Sequence, residues 1–121
     1  MRFKLTRPEI PEAALLSMVM QRLAYAREVA WHDRFNSGAT LVGEGKARRF
    51  VRYNTMPEGL ACPDILGQMR DGRLLAIEVK RLSGRTRPGQ KEFIDLARGN
   101  GAVAGIVRSL EDLDALMKQK N

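Results

Sequence analysis

The stretch Pro63-Asp64-Ile65-Leu66-Gly67-Gln68-Met69-Arg70-Asp71-Gly72-Arg73-Leu74-Leu75-Ala76-Ile77-Glu78-Val79-Lys80 decides how this chain folds. Ile65 and Leu66 start one strand, Asp71-Gly72 supplies a turn, and Leu74 to Lys80 form a second strand of a hairpin. Glu78 and Lys80 are two apart, so their side chains leave one face, while Leu75, Ile77 and Val79 point the other way into a core. Register decides whether Asp64 joins Glu78. A two-residue Asp71-Gly72 loop would pair Asp64 with Val79, on the wrong face. A three-residue loop, Arg70-Asp71-Gly72, with Gly72 left-handed as a bulge, pairs Asp64 with Glu78. The second register is the one expected here; a kink at Pro63 would also deliver Asp64.

Downstream, residues 83–89 hold Ser, Thr, Pro and two glycines and read as loop. Pro88 then starts a helix to about Ala97, with Phe93, Leu96 and Ala97 on its inner face, and Gly99 and Gly101 stop it. Ala102 to Val107 is a buried-type strand, and Ser109 with Asp112 makes a capping box for a final helix. Upstream, Pro8 and Pro11 open a helix whose Leu15, Met18, Val19 and Leu23 form one apolar stripe. Glu12 sits in its first turn, where a carboxylate suits the helix dipole. Residues 29–35 form a short strand ending in Asn36-Ser37-Gly38. The segment 38–46 carries three glycines and reads as loop, and residues 47–53 form a further strand with its basic residues on the exposed or groove side. The expected fold is α/β, in the order α-β-β-β-α-β-α. The hairpin's second strand continues by a right-handed helical crossover into a parallel strand, giving a mixed β-sheet flanked by helices.

The chain has 121 residues, enough for one domain (1–121) with a single core. Hydrophobic residues make up 44% and charged residues 29%, which separates it from disordered sequences. No apolar stretch approaches the ~20 residues of a membrane span. Met1-Arg2-Phe3-Lys4 is expected to lead into a helix rather than a signal peptide. The single cysteine, Cys62, excludes an internal disulfide and a Cys-rich zinc site. These features lead us to expect a cytoplasmic protein with no membrane partner.

The net charge of +7 favours a polyanionic partner, because each phosphate contact releases condensed counterions. That charge is uneven. Lys46, Arg48, Arg49 and Arg52 crowd one segment, and Lys80, Arg81, Arg85, Arg87 and Lys91 another, with no acid among residues 80–91. Arg48, Arg49, Arg52, Arg81, Arg85, Arg87 and Lys91 are therefore the phosphate-contact candidates, of which only some are expected to touch DNA.

Two carboxylates on adjacent strands, Asp64 and Glu78, make a hard oxygen site suited to Mg²⁺ or Mn²⁺, with water and substrate phosphate in the other positions. The Val79 carbonyl is a candidate further ligand. Lys80, two residues beyond a ligand, is placed to orient an attacking water or to stabilise developing charge. The competing reading is a solvated Glu–Lys pair on an exposed strand face, against which stands the placement on a hairpin beside an apolar strand.

The run Cys62-Pro63-Asp64-Ile65-Leu66-Gly67, then Leu75 to Arg81, then Gly84, Pro88, Gln90 and Phe93, resembles the VRR-NUC family of the PD-(D/E)XK nucleases. So do Ala102 to Ser109 followed by Glu111-Asp112, and, upstream, Arg34-Phe35-Asn36-Ser37-Gly38-Ala39. The likeness covers most of residues 10–113. It implies a restriction-endonuclease-like core and metal-dependent hydrolysis of DNA phosphodiesters. It also implies a small stand-alone, phage-associated type, homodimeric and directed at branched DNA such as four-way (Holliday) junctions, and so residing in the host cytoplasm. Asp64 and Glu78 match the family's metal ligands and Lys80 its catalytic lysine. Gln90 matches the glutamine on the following helix, where its spacing to Phe93 and Ile94 independently sets it near the sheet-facing side. Glu12 matches the glutamate of the first helix. The family commonly has a glycine shortly before Pro-Asp; here Gly59 is further off, and residues 40–47 match nothing. Two alternatives remain at this level: a non-catalytic DNA-binding module that kept the fold, and a nuclease acting on flaps or duplex ends.

Weaker signals add little. Gly43-Glu44-Gly45-Lys46 lacks both the earlier glycine and the hydroxyl residue of a phosphate loop. His32 has no ligand companions. Cys62 reads as a small buried hydrophobe rather than a nucleophile. Trp31, Phe35, Phe50 and Tyr53 are candidates to stack on unpaired bases, or to fill a core or a dimer interface.

Overall fold

Leu75, Ile77 and Val79 are fully buried on one face of strand β5 (Leu74–Val79), as their alternation requires. β5 runs antiparallel to β4 (Ile65–Met69), with Ile65 opposite Ile77 and Gln68 opposite Leu74. The three-residue loop Arg70-Asp71-Gly72 closes the hairpin. Gly72 has φ +98°, and the Met69 N–H donates to Arg73 O across the loop at 2.8 Å. Continuing this register by one residue sets Asp64 opposite Glu78, as expected.

The structure is a computed structural model that describes residues 8–119; Met1-Arg2-Phe3-Lys4 lie outside them. The other elements are α1 (Glu12–Ala24), β1 (Val29–Arg34), β2 (Gly38–Val42), a 3-10 turn at Gly45–Ala47, β3 (Arg49–Tyr53), α2 (Gln90–Gly99), β6 (Val103–Val107) and α3 (Leu110–Met117). The main sheet is mixed, in the order β1-β4-β5-β6, with only the β5–β6 pair parallel. α1 and α3 bury Leu15, Val19, Leu23, Leu113 and Leu116 against the Leu75/Ile77/Val79 face. α2 covers the opposite face, where Ile94 and Ala97 meet Ala76 and Ala104. The result is three layers, helix, sheet and helix. Among the described residues no helix is long and apolar enough to cross a membrane.

Several local expectations are corrected. Residues 38–42 are not loop but a strand, because Gly38 to Val42 find hydrogen-bonding partners in Tyr53 to Arg49 and form a separate two-stranded sheet. The order is thus α-β-β-β-β-β-α-β-α, and α-β-β-β-α-β-α is met only by setting the β2–β3 hairpin aside. α2 starts at Gln90 rather than Pro88: Gly89, at φ +89°, precedes its first turn. Leu96 is 52% exposed, and Ile94 takes the inner position with Ala97 one turn on. At α3 the Ser109 Oγ accepts the Asp112 N–H at 3.1 Å, but the Asp112 carboxylate reaches back to the Arg108 N–H at 2.9 Å, one residue beyond the N-cap N–H that a reciprocal box uses.

At Gly67 the backbone of β1 lies close against β4. A Cβ there would fall against the Trp31 carbonyl oxygen and within 3.0 Å of the His32 Cα, both backbone atoms that cannot rotate away. We expect Gly67→Ala to lower stability by about 1–3 kcal/mol. Gly99→Ala, where a Cβ meets nothing within 4 Å at a helix end, should be neutral or mildly stabilising. Urea unfolding of the two variants checks this, and equal midpoints would contradict the β1–β4 register.

Candidate active site

Glu78, near the end of β5, and Lys80, just beyond it, lie on the α2 side of the sheet, and Lys80 ties to β6 by donating its N–H to Val107 O at 3.0 Å. Small residues, Ala76 and Ala104, floor this face, so α2 lies close to the sheet and brings its first residue, Gln90, over Glu78. The Gln90 Nε2 donates to Glu78 Oε1 at 3.1 Å, while its own Oε1 accepts the Arg87 N–H at 2.7 Å. Both ends of the amide are used, which fixes its orientation. The close approach behind it depends on Gly89, where a Cβ would fall within 2.8 Å of the Ala61 backbone nitrogen.

Asp64 precedes β4. Its Oδ2 accepts the Val79 N–H at 2.8 Å, and its carbonyl accepts the Phe35 N–H at 2.7 Å. Lys80 Nζ lies 4.0 Å from Glu78 Oε1 and 3.8 Å from Glu12 Oε1. Glu12, from the opposite end of the chain, is thereby drawn to the same lysine. Glu12, Asp64, Glu78, Lys80 and Gln90 all line one cleft of about 360 Å³. Of the seven phosphate-contact candidates, only Arg87 lines it too. Val79 does not: its side chain is in the core, and it touches the site through the N–H given to Asp64.

The other basic candidates are spread over the exposed surface. Arg48, Arg49 and Arg52 belong to the β2–β3 hairpin, and Arg81 and Arg85 to the loop after β5. Lys91 is paired with Asp95 at 2.7 Å. The loop itself is held from two sides. Arg108 Nη1 donates to the carbonyls of Arg81, Leu82 and Gly84 at 2.9, 3.3 and 2.6 Å, and Glu9 takes the N–H and the hydroxyl of Ser83.

Asn36, Ser37, Ala61, Cys62 and Pro88 also line the cleft and were not among the expected site residues. The signal for the first two was the Arg34-to-Ala39 segment, and for Cys62 its place beside Pro63. The buried Cys62 thiol donates to Phe35 O, and burial, with Glu78 and Asp64 nearby, pushes its pKa up. A thiol held protonated is a poor nucleophile.

Glu78 is the costly residue. It is 2% exposed, and its Oε2 has no hydrogen-bond partner among the described residues. Burial pushes its carboxyl up to about 8; the adjoining Asp64 carboxylate and, less strongly, Glu12 add to the rise, and Lys80 opposes it. A buried oxygen without a partner beside a second carboxylate is what a divalent cation would satisfy. Among the described residues no three His, Cys, Asp or Glu side chains gather as a metal cage. Two carboxylates offer few protein ligands, a donor set chemically suited to a hard ion that keeps most of its water, such as Mg²⁺.

Without metal, the folded carboxyl keeps its proton to about pH 8, whereas the unfolded one releases it near its ordinary 4.5. The native state then binds more protons across that window, and stability falls as pH rises through it. Urea unfolding in EDTA at about pH 5 and about pH 8 should reveal this loss, and Glu78→Gln should remove most of it. A wild type indifferent to pH would contradict the buried carboxyl.

Comparison of the chain with protein-family models, with curated proteins and with solved structures finds no match, so the chemistry of the cleft is read from its own residues.

Proposed function

We propose that this chain is a metal-dependent DNA endonuclease, VRR-NUC-like, with a restriction-endonuclease-like core and Asp64, Glu78 and Lys80 at its centre. One observation carries the reading: two carboxylates from neighbouring strands, a lysine and a glutamine meet in one cleft, with a buried Glu78 oxygen that has no partner among the described residues. The chain's charge of +7 supports a phosphate-bearing substrate.

Asp64 and Glu78 would hold Mg²⁺, or Mn²⁺ in its place, with the Val79 carbonyl as a further ligand. Bound there, the ion would polarise a phosphodiester and lower the pKa of the attacking water. The remaining roles belong to the chain. The Val79 N–H anchors Asp64, and Gln90 anchors Glu78, so neither carboxylate must reorganise when substrate arrives. Lys80, held between Glu78 and Glu12, orients the water and stabilises charge developing on the phosphate. Arg87, at the rim, takes a neighbouring phosphate. The proposed substrate is branched DNA such as a four-way junction. A homodimer would present two clefts to its two-fold symmetry.

A cleavage assay on labelled four-way junction, flap and linear duplex, with Mg²⁺, Mn²⁺ or EDTA, tests the proposal. Wild type should nick with metal and not in EDTA, and Glu78→Ala should lose at least about a hundredfold while keeping DNA binding. Undiminished cleavage by that variant would remove the mechanism. Binding without cleavage under every metal would favour a non-catalytic DNA-binding module. Independently of turnover, millimolar Mg²⁺ should raise the wild-type melting temperature near pH 8 and leave that of Glu78→Gln unchanged.

A further inference from the structure

The β2–β3 hairpin is not part of the sheet that carries the cleft, and its surroundings do not explain its composition. A two-stranded sheet alone is marginal in water unless one face is covered. Here no residue of either strand is buried, and Phe50, 76% exposed, stands opposite Leu41, itself 42% exposed. The two faces differ. Tyr53 lies across Gly38 within the hairpin, its ring occupying the space a Cβ would take. Phe50 shares the opposite face with Arg52, two residues on. Lys46 and Arg48 precede it in the chain, Arg49 lies on the other face of the strand, and the connecting turn holds one acid, Glu44. Among the described residues none of these four basic side chains makes an ion pair.

The hairpin is also linked to the cleft. A second hollow of about 440 Å³ at its root is lined by Arg52 and Tyr53, and it shares Ser37, Ala61 and Cys62 with the cleft walls. The two hollows are therefore neighbours, with Ser37, Ala61 and Cys62 between them.

We infer that this hairpin is an arm for unpaired nucleic acid: Phe50 stacks on an exposed base and Arg52 and Arg48 take the flanking phosphates. The charge selects the occupant. A second copy would bring its own four basic residues against these, whereas a polyanion neutralises them. An aromatic ring outside any core, flanked by arginines, is the surface on which bases stack without sequence preference. The inference rests on the nucleic-acid part of the proposed function and adds that the substrate presents single-stranded bases beside the scissile bond. It does not depend on cleavage.

Fluorescence anisotropy in EDTA tests it, using a labelled oligothymidylate of about twelve nucleotides and a blunt duplex as probes. Phe50→Ala should weaken oligothymidylate binding about tenfold and duplex binding less than about twofold, and Phe50→Trp should restore it. Arg52→Gln should weaken both probes and flatten the salt dependence by about one phosphate contact. Unchanged oligothymidylate binding by Phe50→Ala, or equal losses on both probes, would overturn the inference. So would a change in sedimenting mass, which would assign the face to a second copy. Phe50-dependent binding by a protein that cuts nothing would reject the nuclease and leave this arm standing.

Discussion

The turn at Arg70-Asp71-Gly72 holds β4 and β5 in the register that sets Asp64 beside Glu78, and the cleft is assembled around that pair. One residue fewer in the turn would send Asp64 to the face that Leu75, Ile77 and Val79 bury under α1 and α3, where a carboxylate would meet only hydrocarbon. Gly72 makes the longer turn accessible because its positive φ costs a glycine little. The hydrophobic alternation of β5 and the geometry of one turn are thus coupled: the apolar face fixes which side is core, and the turn fixes which acids share the other side.

Placing two acids together under a helix is unfavourable by itself, and the surrounding structure limits the cost. Asp64 is satisfied by a backbone N–H, one oxygen of Glu78 by Gln90, and Lys80 approaches from the strand end. What remains, among the described residues, is one buried oxygen without a partner and a carboxyl with a raised pKa. Structures keep such strain where it serves binding or chemistry, since a purely structural site would gain by replacing the acid. The small residues Ala76 and Ala104 and the close approach at Gly89 belong to the same arrangement, because they let α2 come near enough for Gln90 to reach.

The molecule also divides its labour between layers. The side of α1 and α3 carries most of the apolar burial, so the α2 side can spare its strand ends for polar groups. Lys80 is the buried basic residue among those described, while exposed basic residues gather on the loop after β5, which Arg108 and Glu9 brace, and on the β2–β3 hairpin.

Sequence alone determined what depends on neighbours within a turn or two. The alternation of β5, the hairpin register, the apolar stripe of α1 and the Ser109 cap follow from local periodicity and turn chemistry, and with them the convergence of Asp64, Glu78 and Lys80. Tertiary structure decided what depends on distant partners. Gly38 to Val42 became a strand only because β3 paired with it; Leu96 lost its inner place to Ile94 because of how α2 sits on the sheet. Glu12 met Lys80, and Asn36, Ser37 and Cys62 joined the cleft, because chain segments far apart in sequence pack side by side. Phe50 was one aromatic among several until the fold left it without cover. The reason is the same throughout: local pattern specifies backbone conformation and the face a residue takes, while long-range packing specifies what, if anything, lies against that face.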